Sequence, residues 1–259
     1  MPYLEAAGLS LHYALAGPEG APTLVLSNSL GSDLSMWDPQ MAVLERRYRI
    51  VRYDARGHGR SSVTAGPHTV QQLANDVLRM LDELQLARVH FCGLSVGGLV
   101  GMWLAARVPE RVDRLALCNT AARIGTVESW HARMEAARTE GLPGIAEAVL
   151  ERWFTPGFRR REPAAVARAR AMLEATPLEG YLGCCAAIRD ADAGGELAAI
   201  SAPTLVIAGS QDAATPPAQG RALAEAIAGA RYVELAAAHL SNIEEADAFT
   251  AALTDFLAE

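Results

Sequence analysis

Nowhere in its 259 residues does the chain carry an apolar run approaching the ~20 residues of a bilayer-spanning helix, so no membrane partner is expected. Its start, MPYLEAAGLSLHY, lacks a basic region followed by an apolar stretch, and no secretory signal is read there. Cysteine is scarce. Cys92, Cys118, Cys184 and Cys185 form no C-x-x-C pair, and vicinal thiols such as Cys184 and Cys185 rarely meet disulfide geometry. Buried free thiols in a cytoplasmic protein are the expectation. His and Cys do not cluster at ligand spacing, so neither a metal nor another cofactor is expected. Positive charge is not in excess either: the net charge is −7, which disfavours nucleic acid and anionic membranes as partners. Internal repeats and low-complexity tails are missing.

What is present describes a folded chain. Hydrophobic residues make up 51% and charged residues 20%, and the length suits one large domain or one domain with an insertion. Through residue 121, short apolar runs alternate with helix-period segments. LSLHYALAG alternates like a half-exposed strand, while TLVLS, RIVRYD, VHFCG and RLALCN read as buried strands. VQQLANDVLRMLDELQ and the segment after Ser95 have helical period. Such alternation means an α/β protein with a parallel sheet and helices on both faces.

From 122 to 195 the pattern changes. VESWHARMEAARTEG, GIAEAVLERWF, EPAAVARARAMLEA and LEGYLGCCAAIRDAD follow one another with no strand between, punctuated by Gly141, Pro143, Pro156, Pro163 and Pro177. This segment is expected to be a helical cap inserted into a core made of 1–121 and 196–259, where TLVIAG and RYVELA resume as strands.

In an open parallel sheet, ligands bind beyond the carboxyl ends of the strands. The strand ending at Gly93 delivers Ser95 there, in G-x-S-x-G; the strand ending at Gly209 delivers Asp212; the strand ending near Ala236 delivers His239. The order Ser, Asp, His, with the serine at a strand-to-helix turn, is the nucleophile-elbow arrangement. A serine hydroxyl needs an adjacent base to attack, His239 can relay its proton, and Asp212 would fix the imidazole tautomer. The developing oxyanion needs donors, and the amides of Leu30 and Val96 are the candidates. Bland readings compete. G-x-S-x-G alone occurs by chance, Asp212 could be a turn residue, and Asp54 also ends a strand and is the rival acid. His58 reads as structural, and His12, His68 and His90 as surface or core.

RYDARGHGRSS, CGLSVGG, GSQDAATPP and AHLSNIE, in that order, resemble the α/β-hydrolase superfamily over essentially the whole chain. The resemblance implies a mostly parallel eight-stranded sheet. Within it, SNSLGSDLSMWDPQ, ESWHAR, LERWFTP and GYLGCCAAIRDAD look like the 3-oxoadipate enol-lactonases of bacterial aromatic catabolism, which implies a carboxylic ester hydrolase of the β-ketoadipate pathway. Where many members of the superfamily carry His-Gly before the oxyanion residue, this chain has Asn28-Ser29.

Such a substrate is a small anionic lactone, whose carboxylate needs a cation or hydrogen-bond donors. Trp130, Arg133, Met134 and Ala137 share one helix face by their spacing. Arg133 is the first candidate for the carboxylate, with Arg56 and Arg189 open alternatives; Trp130 and Trp153 would line the pocket. A solvated surface arginine is the plain reading of Arg133, and cap packing that of Trp153. The alternative functions are another carboxylesterase, a C–C bond hydrolase or a perhydrolase on the same frame, and a binding protein that keeps the fold.

Overall fold

The computed structural model describes residues 2–6 and 8–259; residues 1 and 7, within the expected core segment 1–121, lie outside the described residues. Eight strands form one sheet in the order β1-β2-β4-β3-β5-β6-β7-β8. β1 (Tyr3–Ala6) and β2 (Leu9–Ala16) are antiparallel to their neighbours. β3 (Thr23–Ser27), β4 (Arg49–Tyr53), β5 (Val89–Leu94), β6 (Val112–Cys118), β7 (Thr204–Gly209) and β8 (Arg231–Leu235) run parallel. Every residue of β3, β5 and β7 is buried, as expected of strands covered by helices on both faces, whereas the edge strand β8 is mostly open.

The register aligns the carboxyl ends. Ser27 lies opposite Gly93, Leu94 opposite Cys118, and Gly209 opposite Leu235. β3 sits between β4 and β5, so the winding direction reverses between β3 and β5. A crevice opens where the loops of two such strands diverge.

Helices α1 (Asp38–Leu44), α2 (Val70–Glu83) and α3 (Val96–Arg107) follow strands in the first half. Thr69 and Gln72 close a reciprocal capping box on α2, whose Leu73, Ala74, Val77, Met80 and Leu81 form the buried stripe. Between β6 and β7 lie α4 (Val127–Trp153), α5 (Pro156–Arg161), α6 (Pro163–Ala175) and α7 (Leu178–Asp190). The two helices expected from VESWHARMEAARTEG and GIAEAVLERWF run on as α4, kinked where Gly141 takes φ 70° and Pro143 restarts the turn. α5 was not expected; Thr155 caps it and Pro156 occupies its first position, so a residue read as punctuation starts a helix. α8 (Pro217–Ala226), α9 (Ser241–Glu244) and α10 (Ala246–Leu257) complete the core. No described helix is long and apolar enough to cross a membrane.

Candidate active site

Ser95 stands between β5 and α3 at φ 59°, ψ −114°, a strained conformation for a residue with a Cβ. Its neighbours hold the bend. The Ser95 amide donates to Cys118 O (2.9 Å), and Thr120 Oγ1 donates to Ser95 O (2.8 Å). Glycine is required on both sides: a Cβ on Gly93 would sit 2.1 Å from Gly97 O, and one on Gly97 would sit 2.4 Å from Ser27 O. Close passage of α3 over the end of β3 is what lifts Ser95 to the sheet edge.

Asp212 lies past β7 with its side chain fully enclosed. One carboxylate oxygen, Oδ1, accepts from the amides of Ala214 (2.8 Å) and Thr215 (3.0 Å). The other, Oδ2, accepts from Thr215 Oγ1 (2.7 Å) and Asn119 Nδ2 (3.0 Å) and lies 2.8 Å from His239 Nδ1. Burial raises the carboxyl pKa. The charge and hydrogen bond of His239, together with those from Thr215, outweigh it and hold the pKa below the ordinary value. An ionised carboxylate only accepts, so Nδ1 of His239 is the donor in this contact, and in the neutral imidazole the Nε2 lone pair is left to face away from Asp212. Ser95 and His239 line the same cavity of about 210 Å³, which brings a hydroxyl and an imidazole to one enclosure.

Leu30 lines that cavity as well. Its loop is held by Asn28, whose Nδ2 donates to Tyr53 O (2.8 Å) while its Oδ1 accepts from Trp37 Nε1 (2.9 Å). Leu34 N donates to Asp54 Oδ1 (2.8 Å) further along. Asparagine in place of a histidine thus ties the loop to β4 and to the turn that follows. The amide of Val96 opens α3, where backbone donors lack helical partners. Val96 itself lines a separate small cavity beside Ser27 and Tyr53 and is not among the residues lining the one that Ser95 and His239 share.

The same cavity brings in Trp130, Arg133 and Trp153. Trp130 Nε1 donates to Ile124 O (2.6 Å). Arg133 is half-buried; its Nε donates to Tyr181 Oη (2.7 Å), and its guanidinium stacks 5.2 Å from the Trp130 ring centre and 5.6 Å from that of Tyr181. Trp153 is both wall and packing, at 3% exposure. The site does not include the other two arginines. Arg56 is bound bidentately to buried Asp76 (2.6 Å twice), and Arg189 pairs with Asp190 (2.7 Å) away from the cavity. Asp54, the rival acid, binds His12 Nδ1 (2.7 Å) and the amide of Arg60 (2.9 Å) and stabilises the 28–37 loop instead. His12, His58, His68 and His90 are all core residues. Burial also pushes the Cys184 and Cys185 thiols up to about 12, far from a reactive thiolate. Among the described residues, no group of His, Cys, Asp and Glu could hold a metal.

Sequence reasoning missed three residues here. Arg152 is exposed at the cavity wall, and partial burial and the charge of Arg133 lower its pKa. Asn119, at the end of β6, was legible in principle, because it too follows a strand into the crevice. Glu244 bonds across to α5 and could not be read from local pattern. Arg133 and Arg152 give the cavity two cations, and among the described residues no lining residue is acidic.

The family description of the alpha/beta hydrolase fold matches residues 22–246. This chain belongs to the α/β-hydrolase family. It is similar to 3-oxoadipate enol-lactonase 2 of Acinetobacter baylyi, at 44% identity over 96% of this chain and 94% of that protein. 3-oxoadipate enol-lactonase 1 of the same organism is 40% identical with the same coverage. Among solved structures, the enol-lactonase from Burkholderia xenovorans LB400 matches with a TM-score of 0.98 and 55% identity, both chains covered in full. These relatives set the α/β-hydrolase among the carboxylic ester hydrolases of its fold.

Proposed function

We propose that the protein hydrolyses 3-oxoadipate enol-lactone to 3-oxoadipate, through an acyl-enzyme on Ser95, as a step of aromatic catabolism in the cytoplasm. The observation that carries the reading is the cavity itself: a serine, a histidine whose Nδ1 is bound to Asp212, two arginines and, among the described residues, no acidic side chain, which suits a small anionic ester. The names of the relatives support the particular lactone.

In this reading His239 Nε2 takes the proton of Ser95 Oγ as the oxygen attacks the lactone carbonyl. Asp212 stabilises the imidazolium that forms. The carbonyl oxygen, now negative, is met by the amides of Leu30 and Val96. Collapse of this intermediate breaks the ring C–O bond, and His239 returns the proton to the departing enol. That enol is less basic than an alkoxide, so its expulsion asks less of the acid. Because the leaving group stays tethered, its conversion to the ketone removes the nucleophile that would close the ring again. Water, deprotonated by His239, then cleaves the acyl-enzyme. The substrate carboxylate lies against Arg133, between Trp130 and Trp153, under a cap formed by residues 122–195.

Rapid-quench mass spectrometry during lactone turnover tests this. The expected adduct on Ser95 carries the whole mass of the lactone, since ring opening releases nothing. Turnover of the lactone by Ser95→Ala at the wild-type rate would refute the mechanism.

A further inference from the structure

The loop that carries His239 is fastened to the end of α4. His239 N donates to Arg152 O (3.3 Å) and Leu240 N to Trp153 O (3.0 Å). Beside these bonds lies Glu244, buried at 7% exposure. Its carboxylate is held by neutral donors: Oε2 accepts from Ala238 N (3.0 Å) and Thr155 N (3.2 Å), and Oε1 accepts from the Thr155 hydroxyl. A buried carboxylate is tolerated only where several donors converge on it, and here they come from two distant segments. Thr155 follows α4 and caps α5, while Ala238 immediately precedes His239. Asp212 holds the imidazole from the sheet side. Glu244 holds the backbone of the same loop from the side of α4, whose residues Trp130, Arg133 and Trp153 form the cavity wall.

We infer that Glu244 is a positioning residue that locks the His239 loop to the end of α4, so that the base and the cavity wall are set as one unit. The inference rests on His239 being the base. A base that must serve both Ser95 Oγ and the leaving oxygen has little tolerance, and a displacement of about 1 Å costs on the order of 100-fold in rate.

The test compares Glu244→Ala and Glu244→Gln on p-nitrophenyl acetate, a neutral ester, with rates expressed per folded molecule. Glutamine can keep all three contacts, its oxygen accepting the two amides and its NH₂ meeting Thr155 Oγ. Alanine leaves two buried amides without acceptors. The expected result is kcat reduced about 30-fold or more in Glu244→Ala with KM changed less than about threefold, and kcat within about threefold of wild type in Glu244→Gln. A role confined to stability would lower the folded fraction and leave kcat per folded molecule intact; that result overturns the proposal, as does a glutamine variant no better than alanine. If Glu244→Ala does not fold, Thr155→Val, which removes the hydroxyl donor, is expected to lower kcat severalfold, and an unchanged kcat there overturns the proposal. The ester contains no lactone, so failure of the enzyme on 3-oxoadipate enol-lactone leaves this result standing. Full activity of His239→Gln would instead remove the base on which it rests.

Discussion

Replacing Arg133 by glutamine separates an anionic substrate from a neutral one, and the size of the effect follows from how the guanidinium is held. Its Nε is committed to Tyr181 Oη, and the guanidinium is braced by the rings of Trp130 and Tyr181 at the wall of the cavity, which leaves its remaining N–H groups for a ligand. A carboxylate at about 4 Å from such a cation gains ~1 kcal/mol in bulk water and ~4 kcal/mol at the effective dielectric of a protein surface. Arg133 is half-buried, so about 2 kcal/mol is appropriate, or roughly 30-fold. The proposed contact does not change between ground and transition state, so the expected loss falls on KM and leaves kcat nearly constant. Steady-state kinetics on the anionic lactone and on p-nitrophenyl acetate read it as a change in the ratio of the two kcat/KM values. Arg152 is exposed and screened, so its glutamine variant shifts the ratio only about two- to fivefold, an effect that fades in high salt. Equal losses on both substrates would refute the assignment of Arg133 to the carboxylate.

Other perturbations follow from the same geometry. Ser95→Gly and Ser95→Ala both abolish turnover, but glycine relieves the backbone at φ 59°, so it is more stable than the alanine variant by about 1 kcal/mol in denaturant melts. Asp212→Asn presents an amide where His239 needs an acceptor, and kcat falls roughly 10³- to 10⁴-fold with the fold retained, as read by kinetics beside circular dichroism. Burial, with the charges of Arg56 and His58, pushes the His68 pKa down to about 4 from its ordinary 6.5. Between those values the unfolded chain binds a proton that the native state refuses, so stability falls as pH drops from 6.5 to 4. His68→Leu removes about 2–3 kcal/mol of that fall, measured by denaturant melts across the window; an unchanged slope would contradict it.

The parts of the site that follow strand ends were legible in the sequence. Ser95, Asp212 and His239 each lie a few residues beyond the end of a strand, and a parallel sheet brings such points to one edge whatever the intervening length. Arg133 could be read from helical spacing because it shares an uninterrupted turn with Trp130. Arg152 could not. The kink at Gly141 resets the helical phase, and past it the buried stripe of Leu142, Ile145, Val149 and Trp153 leaves Arg152 on a flank that looks solvent-facing. That the flank borders the cavity follows from the tertiary position of the end of α4, to which the loop of His239 is bonded through Arg152 O. Asn28 and Glu244 were opaque for a related reason. Their partners, Tyr53 and Trp37 in one case and Thr155 and Ala238 in the other, are chosen by tertiary packing, on which local periodicity is silent.

The most direct test of the central claim is hydrolysis of freshly generated 3-oxoadipate enol-lactone by the purified protein, run beside p-nitrophenyl acetate with Ser95→Ala as the blank. The account predicts a kcat/KM for the lactone of ~10⁴ M⁻¹s⁻¹ or more, well above that for the ester, and none from the blank. Ester turnover that equals or exceeds lactone turnover would contradict it and turn the two-arginine cavity toward another substrate.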